Sequence, residues 1–384
     1  MKRIMKNSAV QSLLASLACI IVGLLIGYIV LLFINPAGAW DAILTVIKNF
    51  FYYPSKPAAL KYFGSTLVKT VPLMLCGLSV LFAYKVGLFN IGAAGQYAFG
   101  AGIAIYAALA WQLPWWVCLL LAMAAGAVLG TISGILKSYC NVNEVISGIM
   151  LNWISLYVVN MILTTVKETT SPYTFTLSST NPAALIPSLG LGKLFSNNQY
   201  VTIALPIAIL VSILIWVLLE KTKFGYELRA TGSNKNAAKY CGMNEKRNII
   251  LTMVIAGALA GLGAALLFLT GFEQWQCSQS SVPTMGFNGI AAAFLGGLNP
   301  IGNIFSSYFI QHITNGGAYV DKTMYCAQIS DLISAIIIYL CGFVAFFKYF
   351  INNCIDRSEE RKAHKKAAED AAEKAGAIKE GGNK

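Results

Sequence analysis

Several runs of about 20 consecutive apolar residues recur along this 384-residue chain. Each can cross about 30 Å of hydrocarbon at about 1.5 Å per helical residue. The candidate spans are 12–34, 63–84, 93–111, 114–136, 144–164, 200–219, 248–270 and 326–347. The runs are continuous and do not alternate, which excludes a β-barrel. Only 11% of the residues are charged, against about 25% in soluble domains. The fold class is therefore all-α and integral to the membrane: a polytopic helical bundle of about 8–10 transmembrane segments, some of them broken or half-helices. The lipid bilayer is its first partner.

The start, "MKRIMKNSAVQSLLASLACIIVGLLIGYIVLLFI", pairs a basic head with a long apolar segment. Ala37-Gly38-Ala39 resembles a cleavage site, but the apolar run is longer than the roughly 7–15 residues of a signal peptide. An uncleaved first span with a cytoplasmic N-terminus is expected. The 220–247 segment carries seven Lys/Arg against three acids and reads as cytoplasmic. The 165–199 segment has only Lys167 and Lys193 among many Ser, Thr, Asn and Pro, and reads as external. Trp40, Trp111, Trp115, Trp116 and Trp275 fall near span ends, as interfacial belts require, and 39–53 reads as an outer interfacial helix. Region 286–312, "GFNGIAAAFLGGLNPIGNIFSSYFIQH", is apolar but cut by Gly296, Gly297, Pro300 and Gly302. It suits two half-helices that enter and return, which leaves the C-terminus cytoplasmic. Residues 1–354 then form one transmembrane domain, and 355–384 a charged cytoplasmic tail.

Lys plus Arg exceed Asp plus Glu by 28 to 16. Positive cytoplasmic loops account for this, so no nucleic-acid partner is expected. Nine scattered cysteines include no C-x-x-C pair and predict neither a disulfide framework nor a metal site. Only two histidines exist, His312 and His364. No Ser/His/Asp set, metal-ligand cluster or phosphate-binding loop occurs, and "GSNKNAAK" lacks P-loop spacing. The chain is not expected to be an enzyme or to hold a cofactor. If ATP drives it, another chain binds the ATP.

Polar residues inside spans are functional suspects. Asn143 can cap a helix whose first residue, Glu144, favours the dipole, or Glu144 can serve function. Asn152 lies eight residues on, over a similar face, and needs either another helix or a polar solute as partner. Asn90, Gln96 and Asn288 sit at Gly-rich helix breaks, where exposed backbone is tolerated only inside protein or beside a water-filled path. Asp331 can pair within the bundle or line the path. A path so nearly neutral suits an uncharged hydroxylated or heterocyclic solute. "FNIGAA" at 89–94 and "FNGIAA" at 287–292 are a weak internal echo, each opening a helix of small residues after a loop.

The stretch 227–247, "ELRATGSNKNAAKYCGMNEKR", is basic and predicts a very short helix. Ser233 or Asn234 can cap its start and Gly242 can end it in the left-handed region. Ala237, Ala238 and Cys241 offer small surfaces for close approach. An ordinary positive-inside loop is the alternative.

"GLFNIGAAGQYAFGAG" (87–102), "NEVISGIMLNWI" (143–154), "FGYELRATGSNKNAAKYCGMN" (224–244) and "GFNGIAAAFLGGLNPIG" (286–302) occur in this order. Together they resemble the permease subunits of bacterial ABC importers, nearest the nucleoside permeases within the ribose and branched-chain amino-acid permease superfamily. The likeness covers about residues 60–347. It implies a multi-pass protein of the bacterial plasma membrane that pairs with a second permease, binds a cytoplasmic ATPase, and receives solute from an extracytoplasmic lipoprotein. It implies that 227–244 is the ATPase-coupling segment, with Gly232, Ala237, Ala238, Tyr240 and Gly242 as coupling residues. Asn90, Gln96, Asn143, Glu144, Asn152, Phe287 and Asn288 are the candidates for the solute path. Ala94 departs from the pattern, which carries glutamate there. Ribose-like sugars or branched-chain amino acids are alternative solutes, and a stand-alone secondary carrier is the alternative outside the class.

Overall fold

The computed structural model describes residues 8–321, 323–326 and isolated positions between 332 and 357. Half of the expected span 326–347, with Asp331, and nearly all of the tail lie outside the described residues. The other expected spans are helices: α1 (Ser8–Ile34), α3 (Lys56–Lys85), α4 (Ala93–Leu109), α5 (Trp115–Cys140), α6 (Glu144–Leu163), α7 (Ala204–Lys221) and α10 (Glu245–Phe268). Between them lie α2 (Ala39–Lys48) and the short α8 (Lys223–Ser233) and α9 (Lys235–Tyr240), and α11 (Met285–Leu295) and α12 (Pro300–Gly316) follow. Six described helices are long and apolar enough to cross a membrane, and α4 and α11 are shorter apolar helices. α3 starts ahead of its apolar run because proline in its first turn is pre-set for helix.

α3 and α10 form the centre: 89% and 72% of their most apolar windows are buried, against 22% for α1 and 28% for α7. In lipid, apolar surface alone does not draw helices together, so close backbone approach decides packing. The sequence supplies it as glycines four residues apart. Gly126 and Gly130 of α5 lie against the backbone of Gly257 and Met253 of α10, and Gly261 lies against Ala122. A Cβ on Gly100 of α4 would come within 2.5 Å of the Gly261 Cα. No larger side chain fits at these crossings.

The 286–312 region is two helices joined by a tight turn at Gly297 (φ +66°). Phe294 of α11 meets Tyr84 near the end of α3, with ring centroids 5.2 Å apart. Farther along α12, the Asn315 amide donates to Thr66 Oγ1 near the start of α3 at 3.3 Å. The pair thus runs toward one end of the bundle and returns. The echo has unequal structures: 89–94 runs through a loop into α4, whereas 287–292 is helical throughout.

The 164–203 connection is folded over the end of the bundle opposite α8 and α9. Asn181 donates to the Ala108 and Leu113 carbonyls (2.8 and 3.1 Å), and Asn198 donates to the Lys61 carbonyl (2.8 Å). α2 is amphipathic, burying Ala39, Ala42, Ile43 and Val46. Beyond it, Asn49–Tyr52 form a 3-10 turn.

Candidate functional site

α3 ends at Lys85, the chain turns at Gly87 (φ +74°), and α4 starts at Ala93 after a short break. The break needs hydrogen-bond partners, because the first N–H groups of a helix have none within it. Buried amides supply them. Asn90 donates to Ser79 Oγ at 2.9 Å and to Gln96 Oε1 at 2.8 Å, while Gln96 Nε2 donates back to Asn90 Oδ1 at 3.3 Å. Asn152 reaches in from α6: its Oδ1 accepts from the Gly95 N–H at 2.7 Å, and its Nδ2 donates to the Ile91 carbonyl at 3.1 Å. Glycines permit that reach. A Cβ on Gly95 would lie 2.6 Å from the Asn152 Cα, and one on Gly148 would lie 2.8 Å from the Gly92 nitrogen.

The structure therefore brings Asn90, Gln96 and Asn152 into one node, all of them buried. Their amides are engaged with one another and with the broken backbone. Asn152 has another helix as its partner.

The remaining path candidates lie apart from this node. Asn143 Oδ1 accepts from the Val145 N–H at 2.9 Å and caps α6. Glu144 forms an ion pair with Lys137 of α5 at 2.7 Å. Both sit about 12 Å along α6 from Asn152. Phe287 and Asn288 project from the first turn of α11. Phe287 is exposed, and the half-buried Asn288 side chain has no hydrogen-bond partner among the described residues. Gly286 beside them presses on the Ala94 backbone, and a Cβ there would come within 2.7 Å of the Ala94 methyl. Ala94, itself fully buried, thus stands at a close contact between the starts of α4 and α11 in which position 286 has room only for glycine.

At the other end of the bundle, the basic segment is built by caps. Thr222 Oγ1 accepts from the Gly225 N–H at 3.0 Å to start α8, and Asn234 Oδ1 accepts from the Ala237 N–H at 3.0 Å to start α9. Gly242, at φ +80°, ends α9, with the Met243 N–H bonded to the Ala238 carbonyl at 3.0 Å. Asn248 of α10 donates to Thr231 Oγ1 at 2.9 Å and anchors α8.

The coupling candidates face two ways. Ala238 is only 4% exposed, so its small side chain serves the chain's own packing. Gly232 also faces inward, where a Cβ would lie 2.6 Å from the Val86 carbonyl carbon. Ala237, Gly242 and Tyr240, the last 93% exposed, face outward. Sequence reading missed the contact of Gly232 with Val86 and Gly87, which joins the basic segment to the residues leading into the Asn90 break. The signal for it was the left-handed requirement at Gly87, which local pattern does not connect to position 232.

The profile of the family described as "Branched-chain amino acid transport system / permease component" matches residues 62–342. The guanosine ABC transporter permease protein NupP of Bacillus subtilis is 32% identical over 85% of this chain and 92% of its own length. The nucleoside ABC transporter permease protein NupB of Lactococcus lactis is 31% identical over 87% of this chain and 91% of its own. The glucose ABC transporter permease protein TsgB13 of Haloferax volcanii is 30% identical over 74% and 78%. No solved structure matches the chain. With its six long apolar helices, the chain belongs to the permease component family of branched-chain amino acid transport systems, as a multi-pass plasma-membrane permease subunit of an ABC importer and not an enzyme.

Proposed function

We propose that this permease carries nucleosides inward, in a complex with a cytoplasmic ATPase, a second permease and an extracytoplasmic solute-binding lipoprotein. The similarity to the guanosine permease over 85% of the chain carries this reading.

The outward face of α9 would seat on the ATPase, with Tyr240 as the large exposed anchor. Closure of the ATPase would then push α8 and α9. Gly232, packed on Val86, would pass the displacement to the break that holds Asn90. In this reading α4 and α11, whose starts meet at Ala94 and Gly286, are the elements that shift around the solute.

Mild-detergent capture of the chain from its native membrane, followed by identification of co-purifying chains, tests the assembly. A stoichiometric ATPase is expected, and recovery of the chain alone, where a control ABC complex stays intact, would count against it. Uptake of labelled guanosine in vesicles, with and without ATP, tests the solute.

The docking face has a sharper test in Tyr240→Ala. Its ring touches little of this chain, so the folded amount should not change. An anchoring tyrosine contributes about 2 kcal/mol to an interface, or about 30-fold in affinity. ATPase co-purification and ATP-driven uptake are both expected to fall at least tenfold. Unchanged uptake would remove Tyr240 from the coupling surface.

A further inference from the structure

At the end of the bundle opposite the basic segment, the folded 164–203 connection and the 269–284 segment enclose a cavity of about 390 Å³. Small-molecule sites span about 300–1,000 Å³ and combine aromatic walls with a few convergent polar groups. This cavity has both. Phe175, Tyr200, Phe268 and Phe272 supply ring surfaces, while Gln199 and Glu273 supply polar ones. The Tyr200 and Phe272 rings meet edge to face at 5.2 Å. The Lys69 ammonium lies 5.5 Å from the Phe272 ring centre and 3.8 Å from Glu273 Oε1, so the acid is balanced by a cation. The Gln274 amide donates to the Thr174 carbonyl at 2.9 Å and fastens the two segments together.

The wall also holds polar groups that are open to water and left over by the chain's own hydrogen bonding. The Gln199 amide, the Tyr200 hydroxyl and the Ser178 hydroxyl have no hydrogen-bond partner among the described residues. Beneath them the floor is closed by rings. Phe268 is buried between Tyr97 at 6.4 Å and Trp275 at 5.8 Å, and Tyr97 directly follows Gln96 of the amide node. These rings stand on the side of the cavity that leads along α4 toward that node, about 13 Å of helix from Ile105 in the cavity wall to Gln96.

We infer that this cavity is a receiving site within the permease for an uncharged solute that has a flat heterocycle and hydroxyl groups. The heterocycle lies against the Tyr200 and Phe272 rings, and the hydroxyls take up the Gln199 amide and the Glu273 carboxylate. The solute waits there until the layer of Tyr97, Phe268 and Trp275 parts. The assignment to nucleosides rests on the function proposed above.

The assembled transporter in lipid vesicles provides the test. Equilibrium binding of tritiated guanosine is measured without ATP and without the lipoprotein. ATP-driven uptake is then measured with the lipoprotein present. Wild type is compared with Gln199→Ala, Glu273→Gln and Ser178→Trp, the last placing an indole at the cavity rim. Melting temperature and ATPase co-purification serve as folding controls.

At least tenfold weaker binding and a raised uptake KM in the variants, with intact assembly, is the expected result. Guanosine uptake with wild-type binding and KM in all three variants would overturn the receiving site and leave the nucleoside reading standing. Binding that the variants weaken, with no ATP-driven uptake by wild type, would support the site and reject the transport reading. Neither binding nor uptake by wild type would reject both.

Discussion

Gly257→Val is expected to reduce monodisperse, detergent-solubilised protein at least tenfold. The added Cβ would lie on the Gly126 carbonyl oxygen, a backbone atom that no rotamer change can move aside. Overpacking a side-chain core costs about 1–3 kcal/mol, and more where backbone must shift. Here α5 as a whole would have to withdraw from α10, breaking the neighbouring contacts at Gly130 and Gly261. α4 meets α10 through Gly100 and Gly261, so the loss would spread to the helix that carries Gln96. Lipid offers no compensating force to re-form so close a crossing. Leu214→Val, at an exposed position on α7, is the control and should leave the yield unchanged. Size-exclusion chromatography of solubilised membranes measures both. A wild-type yield for Gly257→Val would refute the close crossing.

Asn152→Leu is expected to lower thermal stability and uptake together. It strips the Gly95 N–H and the Ile91 carbonyl of their side-chain partner. Each buried group left unsatisfied costs about 1–3 kcal/mol. Uptake per folded complex should therefore fall less than the amount of folded complex. Asn288→Leu is the contrast. Its side chain has no partner among the described residues, so stability should stay within about 0.5 kcal/mol of wild type. If Asn288 lines the path, uptake per folded complex drops while the melting temperature holds. Melting curves and vesicle uptake on the same preparations separate the two behaviours. A stable Asn152→Leu protein with lost uptake would instead place Asn152 against the solute.

Much of this protein was legible from sequence. The apolar runs set the helices, because a segment of that length and composition has no other stable state in a bilayer. Local signals set several ends: the caps at Asn143 and Asn234 and the left-handed stop at Gly242 all depend on residues within one turn. Pro300 and the glycines before it marked the split between α11 and α12.

Orientation of side chains was not legible, and the reason is physical. A soluble helix marks its buried face with apolar residues, but a membrane helix is apolar on all sides, so periodicity loses its meaning. Tertiary structure alone decided that Gly126 faces Gly257, that Asn152 reaches the broken backbone of α4, and that Ala238 turns inward while Tyr240 turns out. It also folded the polar 164–203 connection into the wall of a cavity. These contacts join residues far apart in the chain, and no short-range pattern encodes which small or polar residue meets which.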